Sequence, residues 1–157
     1  MVILRKRVAG LTESALGRFL ARAKSAIRLR GTINVLVTDG RELQTLNRRF
    51  LGKNHPTDVL SFPAIKVTQN GVAGDIAIAA DIARQNAGRL GHTPVEEIKI
   101  LALHGMLHLA GYDHEHDQGE MARREKRLRK SLRLPLGLIE RNGRAEAGAA
   151  PARRISR

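Results

Sequence analysis

"TPVEEIKILALHGMLHLAG", Thr93 to Gly111, decides how the rest of the chain must be arranged. Threonine, then proline, then glutamate three residues after the threonine is a strong helix start. The hydroxyl takes up a free amide, the proline sits where no donor is needed, and the glutamate reaches back to the cap. The helix is expected to run to about Ala110 and to stop at Gly111, which reaches the left-handed conformation without steric cost. Ile98, Ile100, Leu101, Leu103, Leu107 and Leu109 leave almost no polar face, so other elements must enclose this helix.

The flanking sequence supplies those elements. Residues 1–8 read as a first strand, and Thr12 caps a helix whose apolar stripe is Leu16, Phe19, Leu20, Ala23 and Ile27. "TINVLVTD" is a β-branched strand from Thr32 to Val37. Asp39, with Glu42 three residues on, starts a second helix that buries Leu43, Leu46 and Phe50. A polar loop runs from Gly52 into an apolar strand stopped by Pro63. "VTQNGVAGDIAIA" is a turn and a strand with Ile76 and Ile78 on one face and Asp75, Ala77 and Ala79 on the other. Asp81 caps a helix through Leu90, ended by Gly91, and a basic helix follows from Gly119 to about Leu134. The expected fold is α/β: a single domain, residues 1–138, with one mixed sheet of about four strands packed by about five helices and a metal site on the central helix. Residues 139–157, "ERNGRAEAGAAPARRISR" from Glu140 on, read as a basic, disordered tail.

At 157 residues the length suits one domain with its own core. There is no cysteine, which excludes disulfides, thiolate metal sites and thiol catalysis. No run of eighteen apolar residues exists and "MVILRKRVAG" has too short an apolar stretch for a signal peptide, so a cytoplasmic protein with no membrane partner is expected. Twenty-eight Lys+Arg against fifteen Asp+Glu give a net charge of +13. Residues 122–157 hold twelve of those cations against three acids, a net +9. Such an excess implies a polyanionic partner, and aromatics at 3% leave phosphate contacts and shape to dominate any RNA binding.

The chemistry sits at the end of the central helix. His104, His108 and His114 occupy the frame H-x-x-x-H-x-x-G-x-x-H. Residues four apart share a helix face, so His104 and His108 point the same way, and the turn at Gly111 brings His114 back as a third ligand. Three protein ligands with a fourth position open to water is the pattern of a catalytic zinc, one Zn2+ per chain. The same frame holds zinc in metzincin peptidases, where a glutamate base follows the first histidine. Here that position is Gly105. His116 falls outside the frame, and His55 and His92 lie in loops.

"HGMLHLAGYDH", His104 to His114, resembles the signature of the YbeY family of bacterial endoribonucleases. "LNRRFLGKNHPTDVLSFP" (Leu46–Pro63) and "GDIAIA" (Gly74–Ala79) resemble that family's two other blocks, in the same order. The resemblance covers about residues 30–132. It implies a zinc-dependent single-strand endoribonuclease acting in 16S rRNA 3′-end maturation and ribosome quality control. The implied partners are rRNA, the small ribosomal subunit, ribosomal proteins and ribosome-assembly GTPases. It also implies the family's fold and the ligands His104, His108 and His114. Leu51 departs from the pattern, which commonly has an arginine implicated in activity there. Arg48, Arg49 and Lys53 in the same block are the candidate phosphate contacts.

Gly105 cannot serve as a base, and phosphodiester cleavage needs that group less than peptide cleavage does, because the metal lowers its water's pKa to about 7 and neutralises charge on phosphate oxygens. The glycine was expected to open space beside the metal. Asp113 and Asp58 are the candidate catalytic carboxylates: Asp113 would orient an imidazole or merely shape the turn, and Asp58 would anchor its loop near the site or cap its own turn. Two other classes compete, a non-cleaving ribosome assembly factor with a structural zinc and a metallohydrolase of another kind, a peptidase included.

Overall fold

The computed structural model describes residues 1–65 and 71–148 of the chain. Its strands are β1 (Val2–Leu4), β2 (Thr32–Thr38), β3 (Val59–Pro63) and β4 (Val72–Ala79). The helices are α1 (Glu13–Ile27), α2 (Gly40–Leu51), α3 (Ala80–Leu90), α4 (Pro94–Leu109), α5 (Glu120–Ser131) and α6 (Leu138–Gly148). One four-stranded sheet has the order β1-β2-β4-β3, parallel except for β3, which runs antiparallel to β4 at the edge. The mixed α/β sheet of the sequence reading is present, with six helices around it.

Alternation along the strands divides the core in two. Val35 and Val37 on β2, with Ile76 and Ile78 on β4, face the large cluster formed by α1 and α4. Leu60, Ala77 and Ala79 point through the opposite face, where Leu43 of α2 covers them. Helix α4 is the centre of the larger layer, and all but its outermost residues are buried. Its start is the expected capping box: Thr93 Oγ1 accepts from the Glu96 amide at 3.1 Å and the Glu96 carboxylate accepts from the Thr93 amide at 3.0 Å. Thr12 and Asp39 likewise accept from Ala15 and Glu42 at the starts of α1 and α2, and the buried stripe of α1 is the expected one.

Three expectations need correction. Phe50 is 59% exposed, off the buried stripe of α2 that Leu43 and Asn47 define; the ring meets Phe62 edge-on at 5.9 Å and carries the Arg49 guanidinium at 5.4 Å. Asn47 takes the buried place instead, donating to the His55 carbonyl. Asp81 does not cap α3, which leaves β4 without a linker and has Ala79 at its cap. Asp81 already lies in the first helical turn, where its carboxylate accepts from the Gly40 amide of α2 at 2.8 Å.

The third correction is α6. The segment expected to be a disordered tail begins as a helix clamped to the domain at two points. Arg141 places both Nη atoms 2.7 Å from the Glu97 carboxylate of α4 in a buried, bidentate pair. Arg129 of α5 forms a second fork on Glu140, at 2.8 and 3.1 Å. A local sequence pattern contains neither partner, so composition alone misreads the segment. The tail beyond Gly148 lies outside the described residues.

Candidate metal centre

Helix α4 delivers His104 and His108 one turn apart on the same face, with His104 fully buried and His108 half-buried. The helix then stops as its spacing predicts. The Ala110 amide donates to Met106, the Gly111 amide to His108 and the Tyr112 amide to Leu107, with Gly111 at φ +99°. This reversal carries the chain back over the helix end and places His114 beside the other two rings, at centroid distances of 5.2 and 5.3 Å. Asp117 fixes the far side of the loop, accepting from the Gly119 and Met121 amides as α5 begins. One ring nitrogen from each of the three histidines lies within 4.8 Å of the others.

Outer partners set which nitrogens face inward. His104 Nδ1 is 2.8 Å from Glu125 Oε2 and His108 Nδ1 is 3.0 Å from the Tyr112 carbonyl. Both partners are acceptors, so both Nδ1 atoms carry the hydrogen and both Nε2 atoms keep a lone pair. Those two Nε2 atoms are 3.2 Å apart. Two lone pairs at that distance repel, and a cation between them removes the conflict. Two nitrogens bound tetrahedrally to zinc at about 2.05 Å would stand about 3.3 Å apart, so the spacing fits the ion. The third histidine brings a buried Nδ1 with no hydrogen-bond partner among the described residues, a polar atom whose burial an ion at the triad would account for.

Electrostatics keep two of the rings, His108 and His114, neutral. Burial first, then the neighbouring His104 and His114, pushes the His108 pKa down from 6.5 to about 4; burial and His104 lower that of His114 as well. Neutral imidazoles with free lone pairs are therefore present at neutral pH, as metal binding requires. The same shifts predict a pH dependence for the metal-free protein. Between about pH 6.5 and 4 the unfolded chain takes up protons that the folded site refuses, so stability falls as pH falls through that window. Thermal melting of the chelated protein should show this, and His108→Ala should flatten it.

Of the three histidines, His108 opens into a cleft of about 450 Å³ lined also by Leu51, Ser61, Phe62, Pro63, Tyr112, Asp113 and His116 among others. Among the described residues, no lysine or arginine lines it. Arg48 and Arg49 are exposed on α2 and Lys53 follows it, all outside this wall. Leu51, the departure from the family pattern, is on the wall itself. Asp113 lies at the rim, its carboxylate committed to His116 Nδ1 at 2.7 Å and to the Glu115 amide; the bond from His116 holds its pKa low. It orients none of the three clustered imidazoles in this structure. Asp58 is buried away from the cleft, near Asn86 (3.5 Å), which also donates to Glu97. His92, in the loop before α4, donates from Nε2 to the same Glu97 carboxylate at 2.7 Å and is largely covered.

The residue that does orient a ligand, Glu125, went unnoticed in the sequence. It looks like one more charge in "MARREKRLRKS", yet Met121, Glu125, Leu128 and Leu132 share one stripe of α5, and that spacing marks it as inward-facing. Gly105 also reads differently in three dimensions. A Cβ there would stand 2.9 Å from Ser61 Oγ and 3.1 Å from two atoms of Ile76. The glycine exists so that α4 can lie against β3 and β4, and the space expected beside the metal is filled by the sheet.

The fold and site define a class: an α/β protein that presents a histidine triad, at metal-binding spacing, in an open cleft at the end of its central helix. A family model described as Endoribonuclease YbeY matches residues 3–133. The chain belongs to the YbeY endoribonuclease family. It is 54% identical over 150 residues to an endoribonuclease YbeY of Koribacter versatilis, covering 96% of this chain and 97% of that one. A Solibacter usitatus relative of the same name is 46% identical over 140 residues, 89% and 92% of the two chains. The solution structure of TM1509 from Thermotoga maritima superimposes with a TM-score of 0.58 at 26% identity, over 98% of this chain and all of that one. No helix among the described residues is long and apolar enough to cross a membrane.

Proposed function

We propose that the protein is a zinc-dependent endoribonuclease that cuts single-stranded RNA in 16S rRNA 3′-end maturation and ribosome quality control. The observation that carries the metal half is the pair of Nε2 atoms held 3.2 Å apart with both lone pairs inward. Family membership carries the RNA half, and the net charge of +13 agrees with a polyanionic substrate. His104, His108 and His114 would hold the ion. A bound zinc supplies an activated water near neutral pH and a counter-charge for phosphate oxygens.

The chain's own groups do the rest. Glu125 and the Tyr112 carbonyl fix the tautomers of His104 and His108. Phe62, Pro63 and Leu51 form an apolar part of the cleft wall, against which the RNA strand would lie. His116, held by Asp113 at the rim of the cleft, would be the group that hands a proton to the departing oxygen. Arg48, Arg49 and Lys53 would engage phosphates away from the cleft, on the flanking strand.

Leu51 on the wall favours a second reading, in which the protein binds ribosomal RNA without cutting it. One experiment separates the two. Purified protein is incubated with end-labelled precursor of the small-subunit rRNA, with and without chelator. We expect endonucleolytic products that disappear with chelator and return with added zinc. Intact RNA in every lane, with binding retained, would establish the non-cleaving factor.

A further inference from the structure

Glu125 is shared between the metal centre and the C-terminal helix. Its Oε2 accepts from His104 Nδ1 at 2.8 Å, while its Oε1 accepts from the Ile139 amide at 2.9 Å, in the first turn of α6. Both His104 and Glu125 are 1% exposed, so water does not compete for either oxygen. The chain reaches this position because residue 137 is glycine: a Cβ there would stand 2.4 Å from Glu125 Oε1. Beyond the contact, α6 is fastened by the two bidentate pairs, Arg141 to Glu97 on α4 and Arg129 on α5 to Glu140. The match to the family model ends at residue 133, before any of these α6 residues.

We propose that α6 is a strap that sets the metal site through Glu125. The Ile139 N–H holds one oxygen of the carboxylate and so fixes the angle at which the other meets His104. A correctly aimed carboxylate locks the ring of the ligand imidazole toward the ion. With α6 displaced, Oε1 would turn to water and His104 would lose its fixed orientation. The strap makes Ile139, Gly137 and Arg141 positioning residues. None of them touches the cleft. Metal affinity in this chain thereby depends on a segment that the family model does not span.

This inference rests on the zinc reading of the histidine triad, and the test keeps the two apart. The readout is the zinc dissociation constant of the full-length protein by competition with a chromogenic chelator, independent of RNA cleavage. Ile139→Pro removes the N–H donor, together with an isoleucine side chain packed against the core, at a first-turn position where proline is tolerated. Gly137→Ala pushes a methyl group against Oε1 and serves as the second variant should the first fail to fold. Each is expected to weaken zinc binding about tenfold, the lower edge of what loss of an outer partner costs. Leu20→Ala on α1, a core change remote from α6, is the control for general destabilisation and should leave zinc affinity unchanged. Wild-type affinity in a folded Ile139→Pro or Gly137→Ala protein would overturn the strap alone. A similar loss in Leu20→Ala would also overturn it, by showing that zinc affinity merely follows stability. A wild-type chain that takes up no zinc would overturn the metal reading and the strap together.

Discussion

Replacing His108 and His114 together with alanine is expected to strip the protein of zinc and of metal-dependent RNA cleavage without unfolding it. This pair is the informative choice because His104 is left in place. Removing His104 would strand Glu125 Oε2 in the core, and a buried charge left without its partner costs about 3–5 kcal/mol, so loss of function would be confounded with loss of fold. His108 and His114 are only partly covered, and their burial already disfavours the charged forms. Near neutral pH both rings are uncharged in the folded and unfolded chain alike, so the double variant should lose only the packing of two half-covered rings and stay folded. Zinc content after gel filtration should drop from about one ion per chain to none, since a single imidazole cannot hold the ion against solvent. Cleavage of labelled precursor rRNA should fall to the level of the chelated wild type. Retention of zinc by the folded double variant would show that the ion binds elsewhere, for example at the exposed Asp113, Glu115 and His116 group on the cleft rim.

The parts of this molecule that were legible in sequence are those fixed by neighbours in the chain. Thr93, Pro94 and Glu96 interact within four residues of one another, so the start of α4 could be read directly. Gly111 acts through its own backbone, and with the i, i+4 spacing it was enough to place the three histidines together. The strands showed because alternation along "DIAIA" is a local pattern. The exceptions depend on long-range pairs. Helix α6 is polar and contains Gly143, and nothing near it in sequence says helix; its support comes from Glu97, forty-four positions before Arg141. Glu125 is legible only when its stripe on α5 is allowed to include a charged residue, a step that periodicity arguments resist because an unpaired buried carboxylate is so costly. Asp81 was assigned to the nearer helix start, whereas the geometry gives it to a helix start forty-one positions away.

The distribution of charge follows the same logic. The cations of α5 and the C-terminal end implied a polyanionic partner, and the cleft wall carries no lysine or arginine among the described residues. In the proposed reaction, substrate attraction and substrate chemistry would therefore use different surfaces. Part of the basic count is structural: Arg129 and Arg141 are consumed in holding α6, and Arg124 donates to the carbonyls of Ala26 and Ile27 at the end of α1.

Gly105 separates a phosphodiester site from a damaged peptidase, and the structure changes what its replacement should do. Substituting glutamate would restore the peptidase frame on paper. In the folded protein the first added atom, Cβ, already meets Ser61 Oγ at 2.9 Å and Ile76 at 3.1 Å. The position faces the sheet, so the carboxylate would be driven between α4 and β3 instead of toward the cleft. Overpacking of this kind costs about 1–3 kcal/mol, and an unpaired carboxylate buried beside Ile76 adds several more. Gly105→Glu is therefore expected to cost more than about 5 kcal/mol, enough to unfold a domain of ordinary stability. Gly105→Ala gives the graded control. It gains about 1 kcal/mol of helix propensity and loses more to the clash, for a net loss of about 1–2 kcal/mol, with zinc binding retained. Denaturant unfolding of the alanine variant and solubility of the glutamate variant measure both. A soluble, zinc-loaded Gly105→Glu protein that cleaves peptides would mean that the side chain reached the metal, and the packing account of this glycine would have to be given up.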